Sequence, residues 1–261
     1  MKISIYNKYK EDFSKVINNL FENIENLEKE IKNINLESVF SFDIGKSSVW
    51  QLKSEIIKYF QNNNGALGYD IFLIKYILYQ LLTYIFIVKE KDLSVEEKNT
   101  CRLEIEVRFY FFLNCIYNFK EKLEKFFKIS VEGNRISFED TILSENGKRY
   151  ARELFNESYV KIKDYCDARG CIVHDIYELK YDLIKNEIII STSKFKLSNE
   201  NITGRGNRKY YFNLNYSELI SLVEDMEIIR KKTIEFLSDI NNFVLEGLIS
   251  KFKDARGGYL F

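Results

Sequence analysis

His174 is the only histidine in the chain, and it closes the run Asp167-Ala168-Arg169-Gly170-Cys171-Ile172-Val173-His174-Asp175. An imidazole titrates near neutral pH, which suits it to proton transfer in water. Arg169 keeps its charge there and presents a planar fork of donors matched to phosphate. A proton carrier beside a phosphate clamp is a minimal ribonuclease kit, and that chemistry needs no metal. Asp175 follows the histidine and can orient it or act as a polar substitute. The bland reading of the same residues is a satisfied, partly buried histidine, with Arg169 in a surface ion pair.

Spacing tests this pairing. Residues five apart on an unbroken helix point roughly 140° away from each other, at about 100° per residue. Gly170, directly after the arginine, offers a joint at which the helix can start or kink and let Arg169 swing toward His174. A two-fold dimer is a second route, bringing the motif of one copy against that of the other.

A second group lies in Gly204-Arg205-Gly206-Asn207-Arg208-Lys209-Tyr210-Tyr211. Arg205, Arg208, Lys209 and Tyr210 combine positive charge with rings, as single-stranded RNA binding requires. The alternative is a solvated hairpin tip with its tyrosines on the sheet face. Lys148, Arg149 and Arg152 read as a solvated face. Trp50, the single tryptophan, reads as a packing anchor.

Arg169-Gly-Cys-Ile-Val-His174 resembles the Arg-x(4–6)-His motif of HEPN proteins, the higher-eukaryote and prokaryote nucleotide-binding domains. The resemblance implies a helical domain, usually dimeric, of the kind found as metal-independent RNases in toxin–antitoxin, abortive-infection and CRISPR-linked systems. It implies attack of a ribose 2′-hydroxyl on its own phosphate, giving a 2′,3′-cyclic phosphate and a 5′-hydroxyl. His174 would be the general acid or base, and Arg169 would hold the phosphate. Two positions depart from the family pattern. Many members carry Asn, Asp or His directly after the arginine, where this chain has Gly170. A toxin branch carries His-x-Tyr, whereas Tyr177 stands at His-x-x-Tyr, so that branch's regulation is not carried over.

The elements that must position these residues read as mostly helical. Phe13, Val16, Ile17, Leu20, Ile24, Leu27 and Ile31 predict one helix from about Lys8 to Asn33. Phe40 to Ser48 reads as a loop and Val49 to Asn62 as a helix. Asn62 to Gly68 (NNNGALG) reads as a turn, with Asp70 capping the apolar run Ile71 to Val88. Ser94 and Glu97 form a capping box that opens a helix to about Phe127. A short strand is expected near Arg135 to Phe138. Lys148 to Leu179 is helical in pattern, with its joint at Gly170. Ile188 to Thr192 and Arg208 to Leu214 are β-type runs. Ser217 reads as the cap of a last helix that keeps helical spacing to Val244.

The expectation is a mainly α helical bundle, HEPN-like, with a small antiparallel β-hairpin insertion near 182–214. Residues 1–261 form one domain, with an N-terminal helical extension over about 1–65.

Composition bounds the function. The 39 basic and 39 acidic residues cancel, so any polyanion contact must come from a local patch. The chain has no proline, against about 13 in an average chain of this length, so nothing of that kind interrupts long helices. The start, MKISIYNKYKEDF, lacks the apolar stretch of a secretory leader. Cys101, Cys115, Cys166 and Cys171 read as reduced intracellular thiols, and one histidine without a CxxC pair argues against zinc. Ile71 to Val88 approaches membrane-spanning length. Lys75 and Gln80 interrupt it, which favours a buried core helix. No GxxxxGK[ST], GxGxxG after a strand, GxSxG or HExxH occurs.

The functional expectation is a cytoplasmic endoribonuclease of a bacterial defence or toxin system. It would act without cofactor or metal, on RNA, as a homodimer with a composite site, with an antitoxin or activator as further partner and no membrane. The alternative is a non-catalytic helical module that binds a partner protein or nucleotide.

Overall fold

The computed structural model describes residues 5–17, 21–34, 47–126, 130–132, 135–137, 161–162, 164–173, 176–193 and 208–234. The elements in order are α1 (Ile5–Ile17), α2 (Glu22–Asn33), α3 (Ser47–Glu90), α4 (Val95–Phe126), β1 (Ser130–Glu132) and β2 (Arg135–Ser137). There follow α5 (164–173), β3 (Ile176–Asp182), β4 (Glu187–Ser193), β5 (Arg208–Asn213) and α6 (216–234). The chain is a mainly α helical bundle carrying a small three-stranded antiparallel sheet.

The N-terminal stripe belongs to two helices, not one. α1 stops at Ile17, and α2 starts after Phe21, whose carbonyl accepts from the Glu25 amide at 3.0 Å. Both halves feed the same core, through Phe13, Ile17 and Ile24, and Ile31 is buried as well, while Val16 is exposed. Ion pairs then pin α2 between its neighbours: Glu28 to Lys75 of α3 at 2.8 Å, and Glu30 to Lys231 of α6 at 2.7 Å.

The expected turn at Asn62 to Gly68 is absent, and α3 runs straight through it as a 44-residue helix. Helix propensity is poor there, yet tertiary contact overrides it. Leu67 is buried, and Asn64 accepts a hydrogen bond at 2.8 Å from Nε of Arg230 on α6. Gly68 leaves room for that guanidinium to lie against the helix backbone. The run that reads as a breaker is where α6 docks. Asp70 is therefore no cap. It is buried in mid-helix, and one carboxylate oxygen meets Lys122 Nζ at 2.7 Å.

α3 and α4 form a long antiparallel hairpin, with α1 packed on α3 and β3 on α4. The capping box at its turn is formed: Glu97 N donates to Ser94 Oγ at 3.2 Å and Ser94 N to Glu97 Oε2 at 2.9 Å. Ile71, Ile74, Leu78, Leu81, Leu82 and Ile85 are fully buried, so the apolar run is largely core. Over residues 64–90 the helix is also long and apolar enough to cross a membrane, and Tyr69, Phe72 and Tyr76 are exposed along it. The cysteines are free, and burial pushes the Cys101 thiol up to about 11.

The expected hairpin is a three-stranded sheet in the order β3-β4-β5. Residues 176–179, read above as the end of a helix, are its first strand. The turn between β3 and β4 explains the start of the sheet. Asp182 Oδ1 accepts from the amides of Ile184 and Lys185 at 2.9 and 3.1 Å. Asn186 takes φ 54, a left-handed position that asparagine tolerates. Its side chain bridges the Tyr181 hydroxyl and the Leu214 carbonyl, at 2.8 and 2.9 Å. The short strand expected near Arg135 is present as β2, paired antiparallel with β1.

α6 begins two residues earlier than expected, and Asn215, not Ser217, is its cap. Asn215 Oδ1 accepts from the Ser217 amide at 3.1 Å, and the Asn215 carbonyl from Leu219 at 3.1 Å. The expected extension of this helix beyond residue 234 lies outside the described residues. So do 40–46 of the expected loop, 198–207 and the cluster Lys148, Arg149 and Arg152, while of Trp50 only the helical backbone is described.

Candidate functional site

α5 is wedged between α4 and the sheet. Tyr165 is the wedge: its ring lies 4.7 Å from that of Phe212 on β5, and 6.3 and 6.0 Å from Phe109 and Phe112 on α4. Burial pushes its hydroxyl far above the ordinary tyrosine range. Cys166, Ala168, Cys171 and Ile172 of the same helix are buried. Gly170 is buried within the helix, which continues to residue 173. The joint expected there is therefore not formed, and Arg169 reaches its surroundings from a regular helix.

Arg169 is held by neutral groups. Its Nε donates to Oδ1 of Asn114 at 3.2 Å. Its guanidinium carbon sits 4.0 Å above the ring of Tyr117. Asn114 is itself oriented, since its amide nitrogen donates to the Tyr110 carbonyl at 3.0 Å. Tyr117 is tied to Glu121, and that hydrogen bond raises its hydroxyl above the ordinary value of 10.0 while Arg169 pulls the other way. Among the described residues no carboxylate pairs with Arg169, and its two terminal nitrogens have no hydrogen-bond partner. A ring beneath and an amide at Nε fix the plane of the guanidinium and leave its bidentate edge for an anion.

The second group divides. Successive side chains of a strand alternate between faces, so Arg208, Tyr210 and Phe212 of β5 share one face, and Lys209 and Tyr211 the other. Phe212 is buried and Tyr211 exposed, so the first set faces the core. Lys209 belongs to the outer, polar face with Glu178 and Lys180, which pair at 2.7 Å. Tyr210 is engaged within the fold: its hydroxyl lies 3.3 Å from Cys171 Sγ, and its ring stacks on Phe212 at 6.4 Å. Burial, more than the bond to Cys171, raises its hydroxyl above 10.0. Arg208 donates through Nη1 to that hydroxyl at 3.5 Å, and this contact raises the guanidinium further above its usual value.

The fold thus brings Arg208 and Tyr210 to the C-terminal turn of the helix that carries Arg169. They stand on different sides of it. Arg169 and Cys171 are two residues apart, about 200° around the helix axis. One side faces Asn114 and Tyr117, the other Tyr210 and Arg208. His174, Asp175 and Arg205 lie outside the described residues. Asn114 and Tyr117 were missed in the sequence because they sit in an aromatic run, where an asparagine one turn from a tyrosine looks like ordinary half-buried surface.

Among the described residues, no three or more His, Cys, Asp or Glu side chains gather in a way that could hold a metal ion. An open groove of about 770 Å³ lies at the turn end of the sheet, lined by Val16, Phe86, Lys89, Ile184 and Lys185 among others, and it contains none of the residues singled out from the sequence. No family model matches the chain, and no curated protein and no solved structure matches it.

Proposed function

We propose that this chain is a metal-independent endoribonuclease of HEPN type, working in the cytoplasm as a homodimer within a bacterial defence or toxin system. The observation that carries the reading is Arg169, a cation one turn from the end of its helix, oriented by Asn114 and Tyr117 with its fork unpaired among the described residues. A guanidinium with a fixed plane and a free fork is suited to bidentate recognition of a phosphate. His174 follows at the motif spacing.

In this reading Arg169 grips the scissile phosphate. The 2′-oxygen bonds to phosphorus and the bond from phosphorus to the 5′-oxygen breaks. The proton leaves the 2′-hydroxyl, and another is delivered to the departing 5′-oxygen. His174 serves one of those transfers, and Asp175 orients it. A guanidinium held rigid before substrate arrives loses little freedom on binding, which favours the transition state.

The test is incubation of the purified protein with total RNA and tRNA in EDTA, wild type beside His174→Ala. Cleavage by the wild type alone is the expected result. Cleavage that survives the substitution in a folded variant contradicts the mechanism. The second reading, a non-catalytic module, is favoured by Gly170 in the place of a polar residue, and it predicts no cleavage by either protein.

A further inference from the structure

The sheet's inner face carries three rungs. Strand pairing aligns Tyr181, Ile188 and Phe212 in the first, Leu179, Ile190 and Tyr210 in the second, and Tyr177, Thr192 and Arg208 in the third. The first rung is wholly buried. In the second, Ile190 is buried and both flanking residues are half-buried. In the third, only Thr192 is buried, while Tyr177 and Arg208 are exposed. The face that builds the core therefore emerges into solvent at this end, with a ring on one edge strand and a cation on the other.

We propose that Tyr177 and Arg208, across Thr192, form a subsite for one nucleotide of a single-stranded RNA, the ring stacking on its base and the guanidinium taking its phosphate. The proposal rests on the ribonuclease reading and specifies where the strand beside the scissile phosphate lies. The chain passes from α5 to β3 through His174, and Tyr177 follows it by three residues.

Three observations support the assignment. The two residues are two inter-strand spacings apart, roughly 10 Å at the backbone, and both side chains are long enough to meet the same nucleotide. Arg208 is steadied rather than loose: its amide donates to Thr192 Oγ1 at 3.2 Å and its Nη1 to the Tyr210 hydroxyl at 3.5 Å. Tyr210 is in turn braced on Cys171 of the motif helix at 3.3 Å. Tyr210 is thus a positioning residue, and Tyr177 supplies the free ring. Among the described residues, Asp167, one turn before Cys171, adds a small upward pull on the Arg208 guanidinium and forms no ion pair with it.

Single rings and single phosphate cations act on RNA in sequence-tolerant, salt-dependent ways. The experiment is fluorescence anisotropy of a labelled single-stranded RNA with 2′-O-methyl sugars, which the protein can bind and cannot cleave. Arg208→Ala is expected to raise Kd about ten-fold and to flatten the dependence on salt by roughly one phosphate contact. Tyr177→Ala is expected to raise Kd about ten-fold, at the lower end of base-stacking effects, with Tyr177→Phe binding as wild type. Lys180→Ala, which removes an exposed cation on the outer face, is expected to leave binding unchanged. Circular dichroism melting of each variant confirms that it folds. Wild-type binding and cleavage by folded Arg208→Ala and Tyr177→Ala would overturn the subsite and leave the ribonuclease reading standing. A wild type that binds no RNA would overturn both.

Discussion

Gly65 and Gly68 sit one turn apart on α3, and replacing each by alanine should move stability in opposite directions. Alanine in a helix interior is better than glycine by about 0.8–1.0 kcal/mol. A methyl group on Gly65 meets nothing within 4 Å, so Gly65→Ala should gain about that amount. On Gly68 the new carbon would lie 2.8 Å from both Cζ and Nη2 of Arg230. Ordinary contact needs about 3.5–4.0 Å, so the guanidinium must retreat by roughly 1 Å. It is not free to do so: Nε is bound to Asn64 at 2.8 Å and Nη1 to Glu227 at 3.2 Å, and Glu227 is fully buried. Weakening hydrogen bonds to a buried carboxylate costs about 1–3 kcal/mol, which outweighs the propensity gain. Gly68→Ala should therefore stand about 1–3 kcal/mol below Gly65→Ala in urea unfolding followed by circular dichroism at 222 nm. Equal stabilities would refute the claim that the asparagine-glycine run is a docking place for α6.

Asn215→Ala should lower stability by about 1 kcal/mol, the usual worth of an N-cap, and Ser217→Ala by clearly less, as urea midpoints will report. Burial, only partly offset by Arg230, raises the Glu227 carboxyl above 4.5. An acid raised in the folded state contributes stability that is whole below its unfolded value and is lost as pH rises through the folded one. Wild type should therefore lose ground against Glu227→Gln as pH climbs above 4.5, and a difference that stays flat across a pH series of unfolding curves would contradict this. Asn114→Ala and Tyr117→Leu should each lower kcat for RNA cleavage about ten-fold, since a hydrogen bond to a charged group and a ring under a guanidinium are each worth on the order of 1–2 kcal/mol. If single-turnover rates of both folded variants match wild type, Arg169 does not depend on its platform.

The helical character of the chain and the β-type runs were legible from periodicity alone, because burial on one face leaves a local signature. The capping box at Ser94 and Glu97 was legible for the same reason: both partners lie within one turn. Continuity was not. Asn62 to Gly68 looks like a turn until Arg230, more than 160 residues away, supplies its partner. Nor was the first strand of the sheet: Ile176 to Asp182 adjoins a helix, and only pairing with β4 reveals its alternation. Ser217 reads as the cap because its residue type suits one, and only the geometry of the amide it meets shows Asn215 in that place. At the site, Arg169 was visible by its type and spacing, whereas Asn114 and Tyr117, which give it a fixed plane, come from another helix. Tyr177 was visible only as an off-register motif, and strand register sets it on the same rung as Arg208.

The most direct measurement of the central claim is end-group analysis of RNA cut by the purified protein in EDTA, comparing wild type with Arg169→Ala and Arg169→Lys. The account predicts products ending in 2′,3′-cyclic phosphate from the wild type, none from the alanine variant, and a large deficit in the lysine variant, which keeps the charge and loses the fork. The same products at the same rate from a folded Arg169→Ala protein would contradict it.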